Sequence, residues 1–287
     1  MKYRHYFFDF DGTLCDTDAD IRLAWKNALA EIDLPHRDFD SVFRNGPPID
    51  EVTRSLFGED ATTPELIARM RTLFRRHYDE GGFPNTRPYP GIEDWLVRIK
   101  SRGACAYIVT NKRYCATNLL VDKLGWRSLF KTVYSSDMFM DTPIGKLKKP
   151  DLLAEALRRE GAAPAESVMV GDSANDFSAA RANGIRSIGC SWGYGAPGDL
   201  EMADEILDAP PVDDGTGGRF YERAASVLEI PAAGPDTRFR ELDGWCSLKA
   251  FGLLAMMEND FGASLSIAEL SGCSTLGELE ALAGGRR

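Results

Sequence analysis

Tyr6-Phe7-Phe8-Asp9-Phe10-Asp11-Gly12-Thr13 runs from an apolar, aromatic triplet straight into two carboxylates and a glycine turn. A short apolar run that stops at charge is the pattern of a buried strand delivering its last residues to a sheet edge. Beyond it the period changes. Ile21, Leu23, Ala24, Ala28 and Leu29 recur at helical spacing, as do Leu66, Ile67, Met70, Leu73 and Phe74, with the loop signal Asn45-Gly46-Pro47-Pro48 between them. The proline-rich stretch 84–91 reads as a connector. From residue 92 onward helices and strands alternate: helix over 92–100, strand over 104–109, helix over 118–124, strand over 132–134, helix over 151–159, strand over 167–170, helix over 177–182, strand over 185–190. The alternation predicts an α/β domain with an open parallel sheet and helices on both faces. Residues 18–82 then form a helical insertion after the first strand, suited to a cap or lid.

Chemistry-bearing residues gather at the carboxyl ends of these strands, the edge where open α/β sheets bind ligands. Asp9 and Asp11 follow the first strand, Thr110 and Asn111 follow the strand ending Ile108-Val109, and Gly171, Asp172 and Asp176 follow Val168-Met169-Val170. Lys149 precedes the helix leading to that last strand, with Lys146 and Lys148 close enough to compete for its place. Several carboxylates and a lysine at one edge are costly unless a cation and an anion join them. Magnesium suits oxygen ligands and binds through one or two carboxylates plus substrate phosphate. An aspartate can attack phosphorus, and a second carboxylate two residues on can serve as acid and then base. Each piece alone has a plainer reading: a turn for 9–13, a helix cap for Asp172 and Asp176, a solvated basic loop around Lys149.

Taken together, Asp9-x-Asp11-Gly12-Thr13, Thr110-Asn111, Lys149 and Gly171-Asp172-x-x-x-Asp176 resemble the four motifs of the haloacid dehalogenase (HAD) superfamily, over roughly residues 1–210. The insertion after the first motif is similar to a C1 cap. Gly46-Pro47-Pro48, Tyr89-Pro90-Gly91 and Trp192-Gly193-Tyr194-Gly195 resemble the phosphoglycolate phosphatase-like branch. The resemblance implies a Rossmann-like core at 1–17 and 83–210 and a cap at 18–82. It implies Asp9 as nucleophile, Asp11 as acid/base, Thr110, Asn111 and Gly12 as phosphate binders, and Lys149 as stabiliser of the phosphoryl intermediate. Magnesium would be held by Asp9, the main-chain carbonyl of Asp11, Asp172, and Asp176 directly, through water or as a supporting partner. Dehalogenases lack an aspartate at the place of Asp11, so phosphatase or phosphomutase work is implied, with hydrolysis of a small phosphorylated metabolite favoured by the branch. Arg44 and Asn45 in the cap, and Lys112 and Arg113 past the second motif, are candidates to touch substrate, or else plain surface charge.

Past a linker at 211–218 the chain turns helical again. Val227-Leu228-Glu229-Ile230, Phe239-Arg240-Glu241-Leu242, Trp245-Cys246-Ser247-Leu248 and Thr275-Leu276-Gly277-Glu278-Leu279 are similar to an acyl or peptidyl carrier protein, a small helical bundle, over 219–287. That resemblance implies Ser247 as the attachment point of 4′-phosphopantetheine, with a phosphopantetheinyl transferase and synthase enzymes as partners. The aspartate usual before that serine is Cys246 here, which leaves modification open.

The 287 residues carry a formal charge of −10, which argues against a nucleic-acid surface. No apolar stretch reaches membrane-spanning length. Six scattered cysteines without a C-x-x-C pair, and no visible leader, read as a reducing cytoplasm. Two rival readings accompany the phosphatase: a HAD-like transferase that loads a phosphoglycerate-derived acyl unit onto its own or another carrier domain, and a non-enzymatic carrier or docking module of a synthase.

Overall fold

Phe7 and Phe8 are fully buried, on opposite faces of a sheet that they help to hold together. The structure, a computed structural model, describes residues 2–196, 198–211 and 216–284; of the expected linker, 212–215 lie outside the described residues. The chain divides into two compact units, Met1–Pro211 and Val212–Arg287.

In the first unit, β1 (His5–Phe8) and β2 (Cys15–Asp16) are followed by α1 (Asp18–Ala30), α2 (Phe39–Val42), α3 (Ile49–Phe57) and α4 (Pro64–Glu80). The chain then returns through β3 (Arg87–Pro88), α5 (Ile92–Ser101), β4 (Cys105–Thr110), α6 (Tyr114–Lys123), β5 (Thr132–Ser135), α7 (Lys149–Glu160), β6 (Ser167–Gly171), α8 (Ala174–Ala182), β7 (Arg186–Cys190) and β8 (Glu205–Leu207). The main sheet is parallel, six-stranded, in the order β5-β4-β1-β6-β7-β8. The chain leaves β1 for β4 and β5 on one side and then crosses to β6 on the other. The crevice over β1 is therefore the switch point where such sheets take ligands.

Alternation along each strand feeds two cores. Tyr6, Phe8, Ile108, Val133 and Val170 pack against Ile92, Trp95, Leu96 and Ile99 of α5 and Leu120 and Val121 of α6. Phe7, Tyr107, Val109, Tyr134 and Met169 pack against Leu152, Leu153, Ala156 and Leu157 of α7 and Ala179 and Ala180 of α8. Truncating a ring such as Phe8 to alanine costs about 3–5 kcal/mol at such a site.

The helices α1–α4 close on a cluster of their own, with Trp25, Leu29, Phe39, Phe43, Leu56, Met70 and Leu73 inside. Thr63 caps α4 by accepting from the Leu66 N–H at 3.2 Å, with Pro64 opening the helix. Where this helical insertion joins the sheet, β2 and β3 pair antiparallel, Cys15 opposite Pro88 and Asp16 opposite Arg87. Asp20 of α1, buried, accepts from the N–H groups of Asn85 and Thr86 and from the Thr86 hydroxyl at 2.7 Å, and so ties entry and exit together.

The second unit holds α9 (Thr216–Leu228), α10 (Ser247–Phe261), α11 (Ile267–Gly272) and α12 (Leu276–Gly284). Phe220, Ala224, Leu228, Phe239, Leu253, Met257, Phe261, Leu270, Leu276 and Leu279 form its core. No described helix is long and apolar enough to cross a membrane.

Candidate active site

Asp9 leaves β1 with its N–H donating to the Val170 carbonyl at 2.9 Å, which keeps it in line with the sheet. Its side chain turns back and accepts from the Phe10 N–H at 2.8 Å. The following turn is tight: the N–H groups of Leu14 and Cys15 both donate to the Phe10 carbonyl. Gly12 takes φ +77°, and a Cβ there would overlap the Asp172 carboxylate. Glycine is required on both counts. Thr13 Oγ1 donates to Asp172 Oδ1 at 3.1 Å, so the first-strand turn and the loop after β6 are locked to one another.

Carboxylate oxygens of Asp9, Asp172 and Asp176 lie within 4.8 Å of one another. Lys149, first residue of α7 and only 4% exposed, places its Nζ 2.7 Å from Asp9 Oδ2 and 2.5 Å from Asp176 Oδ1. Of the three lysines near this helix, Lys149 is the one in the site. Asp176 also closes the capping box of α8, its Oδ2 accepting from the Ser173 N–H and hydroxyl. Asp176 therefore caps a helix with one oxygen and stands beside Asp9 and Asp172 with the other turned to Lys149.

Burial pushes the Asp172 carboxyl up to about 7, with the charges of Asp9 and Asp176 adding to it. Burial likewise pushes Asp9 up to about 6; Lys149 opposes the shift, and Asp176 and Asp11 add to it. One ammonium does not balance three carboxylates, two of them buried and Asp9 half-buried. Asp9 and Asp172, held above the ordinary carboxylate range in an all-oxygen donor set, are what a hard divalent cation would relieve, so these residues fit such an ion.

Asp11 belongs to a different network. Its Oδ1 accepts from Thr17 Oγ1 at 2.7 Å and from Lys112 Nζ at 2.9 Å. Lys112 was expected to meet substrate or to lie on the surface. Instead its side chain is 6% exposed, and its Nζ also lies 2.5 Å from the Tyr78 hydroxyl and 4.5 Å from the Tyr78 ring centre. Burial alone would lower the Lys112 ammonium; the charge of Asp11 and the bonds to Tyr78 and Asp11 outweigh it and hold it above its ordinary value. Arg113 is ion-paired with Asp79 at the end of α4. In the cap, Arg44 is exposed with its guanidinium on the Phe43 carbonyl, and Asn45 donates to Asp18 Oδ1 at 2.6 Å. The structure brings neither Arg44 nor Asn45 into contact with the carboxylate cluster.

Thr110 ends β4, buried, its Oγ1 accepting from the Lys112 N–H at 3.2 Å, which leaves its own proton to donate. Asn111 is exposed, its carbonyl accepting from Ser136 Oγ.

Tyr194 is the residue that sequence reasoning missed, although the motif containing it was noticed. Its N–H donates to Asp172 Oδ2 at 2.7 Å. Its hydroxyl donates to Asp16 Oδ1 at 2.5 Å and accepts from the N–H groups of Thr17 and Asp18 at the start of α1. A motif with two glycines around an aromatic residue, just past a strand, signals such close approach: a Cβ at Gly193 would overlap Asp172.

In the second unit Ser247 opens α10 and is exposed. Cys246 occupies the N-cap with no side-chain cap hydrogen bond.

Residues 6–190 match the haloacid dehalogenase-like hydrolase family, and residues 219–283 match the phosphopantetheine attachment site family. The phosphoglycolate phosphatase of Aliivibrio fischeri is 30% identical over 210 residues, covering 70% of this chain and 90% of that protein. The phosphoglycolate phosphatase of Neisseria gonorrhoeae is 31% identical over 215 residues, covering 71% and 89%. Among solved structures, a haloacid dehalogenase-like family hydrolase from Streptococcus pneumoniae superposes with a TM-score of 0.61 at 26% identity, over 73% of this chain and 95% of that one. CbbY from Rhodobacter sphaeroides in complex with phosphate superposes at 0.59 over 72% of this chain and 94% of that one; at 24% identity the likeness speaks for the fold.

Proposed function

Since the chain belongs to the haloacid dehalogenase-like hydrolases, as a phosphoglycolate phosphatase-like phosphatase fused to a phosphopantetheine attachment domain, we propose that it hydrolyses a small phosphomonoester with magnesium through an aspartyl phosphate on Asp9. The observation that carries this reading is the group of Asp9, Asp172 and Asp176 around Lys149 at the switch point of the sheet. Asp9 Oδ attacks phosphorus as the bond to the leaving oxygen breaks, and Asp11 gives that oxygen its proton. Asp11, now a carboxylate, takes a proton from water, whose oxygen attacks phosphorus and releases phosphate from Asp9. Thr110 Oγ1 and the backbone around Gly12 and Asn111 bind phosphoryl oxygens, and Lys149 offsets their growing charge. Asp9, Asp172 and the Asp11 carbonyl would hold magnesium, which supplies charge neutralisation at the phosphoryl group when bound. Asp176, with both oxygens already engaged, supports the site through Lys149 and Ser173. The core at 1–17 and 83–210, the cap at 18–82 and the carrier-like region at 219–287 are the divisions of labour this reading uses. Free cysteines throughout favour a cytoplasmic setting.

The test is phosphate release from a panel of phosphomonoesters, with magnesium and with a chelator. We expect turnover of a small substrate, its loss on chelation, and a fall of at least about 10⁴-fold in Asp9→Asn. Full activity in that variant defeats the proposal. An exposed Ser247 favours a second reading, in which the thiol of phosphopantetheine on Ser247 attacks the acyl phosphate of a phosphoglycerate-derived three-carbon acid, gives up its proton and forms the thioester as phosphate leaves. A mass shift on Ser247 after co-expression with a phosphopantetheinyl transferase is its first requirement.

A further inference from the structure

We infer that Lys112 is a positioning residue for Asp11, one that makes the setting of the acid/base depend on α4, the last helix of the cap. The inference rests on the reading of Asp11 as acid/base. Three observations carry it. Lys112 is buried, so its ammonium cannot serve a substrate tail in solvent-exposed fashion, and it lies against two partners at once, Asp11 at 2.9 Å and the Tyr78 hydroxyl at 2.5 Å. Tyr78 sits near the end of α4, buried and stacked on Phe74 at 5.5 Å, so its hydroxyl moves only with that helix. Lys112 itself is fixed at its root, its N–H held by Thr110 Oγ1, the hydroxyl that ends the neighbouring strand. An ammonium whose main chain is held and whose buried head has two partners from different layers transmits the place of one to the other. Arg113, the next residue, pairs with Asp79, the residue after Tyr78, so the same two segments are joined twice in succession.

A residue that sets Asp11 matters most where a proton must reach a poor leaving group, and least where the leaving group departs unaided. Two substrates separate the cases: 2-phosphoglycolate, whose alkoxide needs the proton, and p-nitrophenyl phosphate, whose phenolate does not. The Asp11→Asn variant calibrates the scale, with its loss on 2-phosphoglycolate expected to exceed that on p-nitrophenyl phosphate by about 10²-fold. Lys112→Met should show the same asymmetry at about tenfold or more, in kcat, with KM for 2-phosphoglycolate within about threefold. Tyr78→Phe, which keeps the ring and removes the hydroxyl, should show it at about threefold, and Lys112→Arg should restore part of the loss seen in Lys112→Met. Equal losses on the two substrates in both Lys112→Met and Tyr78→Phe overturn the inference while leaving the proposed function standing. So does a rise in KM with kcat unchanged, the mark of a substrate-binding lysine. If Asp11→Asn treats both substrates alike, the acid/base reading falls and takes this inference with it. Should Lys112→Met fail to fold, Tyr78→Phe alone decides by the same ratio.

Discussion

Asp9 and Asp11 stand two residues apart and each meets a buried lysine, but the two lysines are moored in different places. Lys149 bridges Asp9 and Asp176, all three supplied by the sheet and the helices that cover it. Lys112 bridges Asp11 and Tyr78, a strand end and a helix of the insertion. Burying an ammonium beside a carboxylate carries a desolvation cost in both places. What differs is the third partner. On the Lys149 side it is another carboxylate, which leaves a surplus of negative charge for a cation to settle. On the Lys112 side it is a hydroxyl, which adds no further negative charge and spends the contact on geometry.

The sharpest way to break this contrast is Lys149→Met. It strands Asp9 and Asp176 without a counter-charge, so we expect a loss of about 3–5 kcal/mol in cation-free urea unfolding. Turnover should fall about 10²–10³-fold, and magnesium should return part of the stability. A Lys149→Met protein as stable as its parent would show that the surplus charge is not there. The second prediction concerns pH. Asp172 is pushed up to about 7 and Asp9 to about 6, above the ordinary carboxylate range. Between about pH 4 and 7 the folded, cation-free chain therefore binds more protons at these two groups than the unfolded chain, and its stability falls as pH rises through that window. Magnesium must displace those protons, so its affinity by calorimetry should climb about tenfold or more per pH unit below about 6 and level off above about 7. Affinity independent of pH would refute the assignment of these carboxylates to the ion. The smallest effect is expected for Tyr194→Phe. The N–H that serves Asp172 is kept and the hydroxyl that caps α1 is lost, so stability should drop by about 1 kcal/mol. The magnesium affinity should stay within about twofold of the parent by calorimetry, because the donor to Asp172 is main chain. A large loss of affinity would mean that the hydroxyl, not the backbone, sets Asp172.

The sheet and its order of chemistry were legible because both are written locally. Apolar runs of the right length end in Asp9, Thr110 and Asp172, and glycine marks the turn where Asp172 comes close. The edge strand β8 was not legible: Glu205 and Ile206 are exposed and only Leu207 is half-buried, so no apolar run announces it. The paired strands β2 and β3 were hidden for another reason. Each is two residues long and one contains Pro88, which donates nothing to a ladder and counts against a strand when read alone. Lys112 was legible as a candidate, but its burial between Asp11 and Tyr78 was not. A lysine beside a strand end carries no sign of burial, and its partner Tyr78 lies 34 residues away on a helix whose packing decides the matter. Asp176 escaped a single role because helix capping and charge pairing draw on different oxygens of one carboxylate. In the second unit, Cys246 ahead of Ser247 already signals a helix start without a side-chain cap.

The cluster around Trp25, Phe39, Phe43 and Met70 closes among α1–α4 and touches the core beneath the sheet through Ile21 and Phe74. A region with its own interior can exchange its amide hydrogens by opening alone, while the strands below stay protected. Substitutions inside that cluster would fall first on the insertion and, through α4 and Tyr78, reach Asp11, while Asp9, Asp172 and Asp176 keep the partners that the sheet and its covering helices supply.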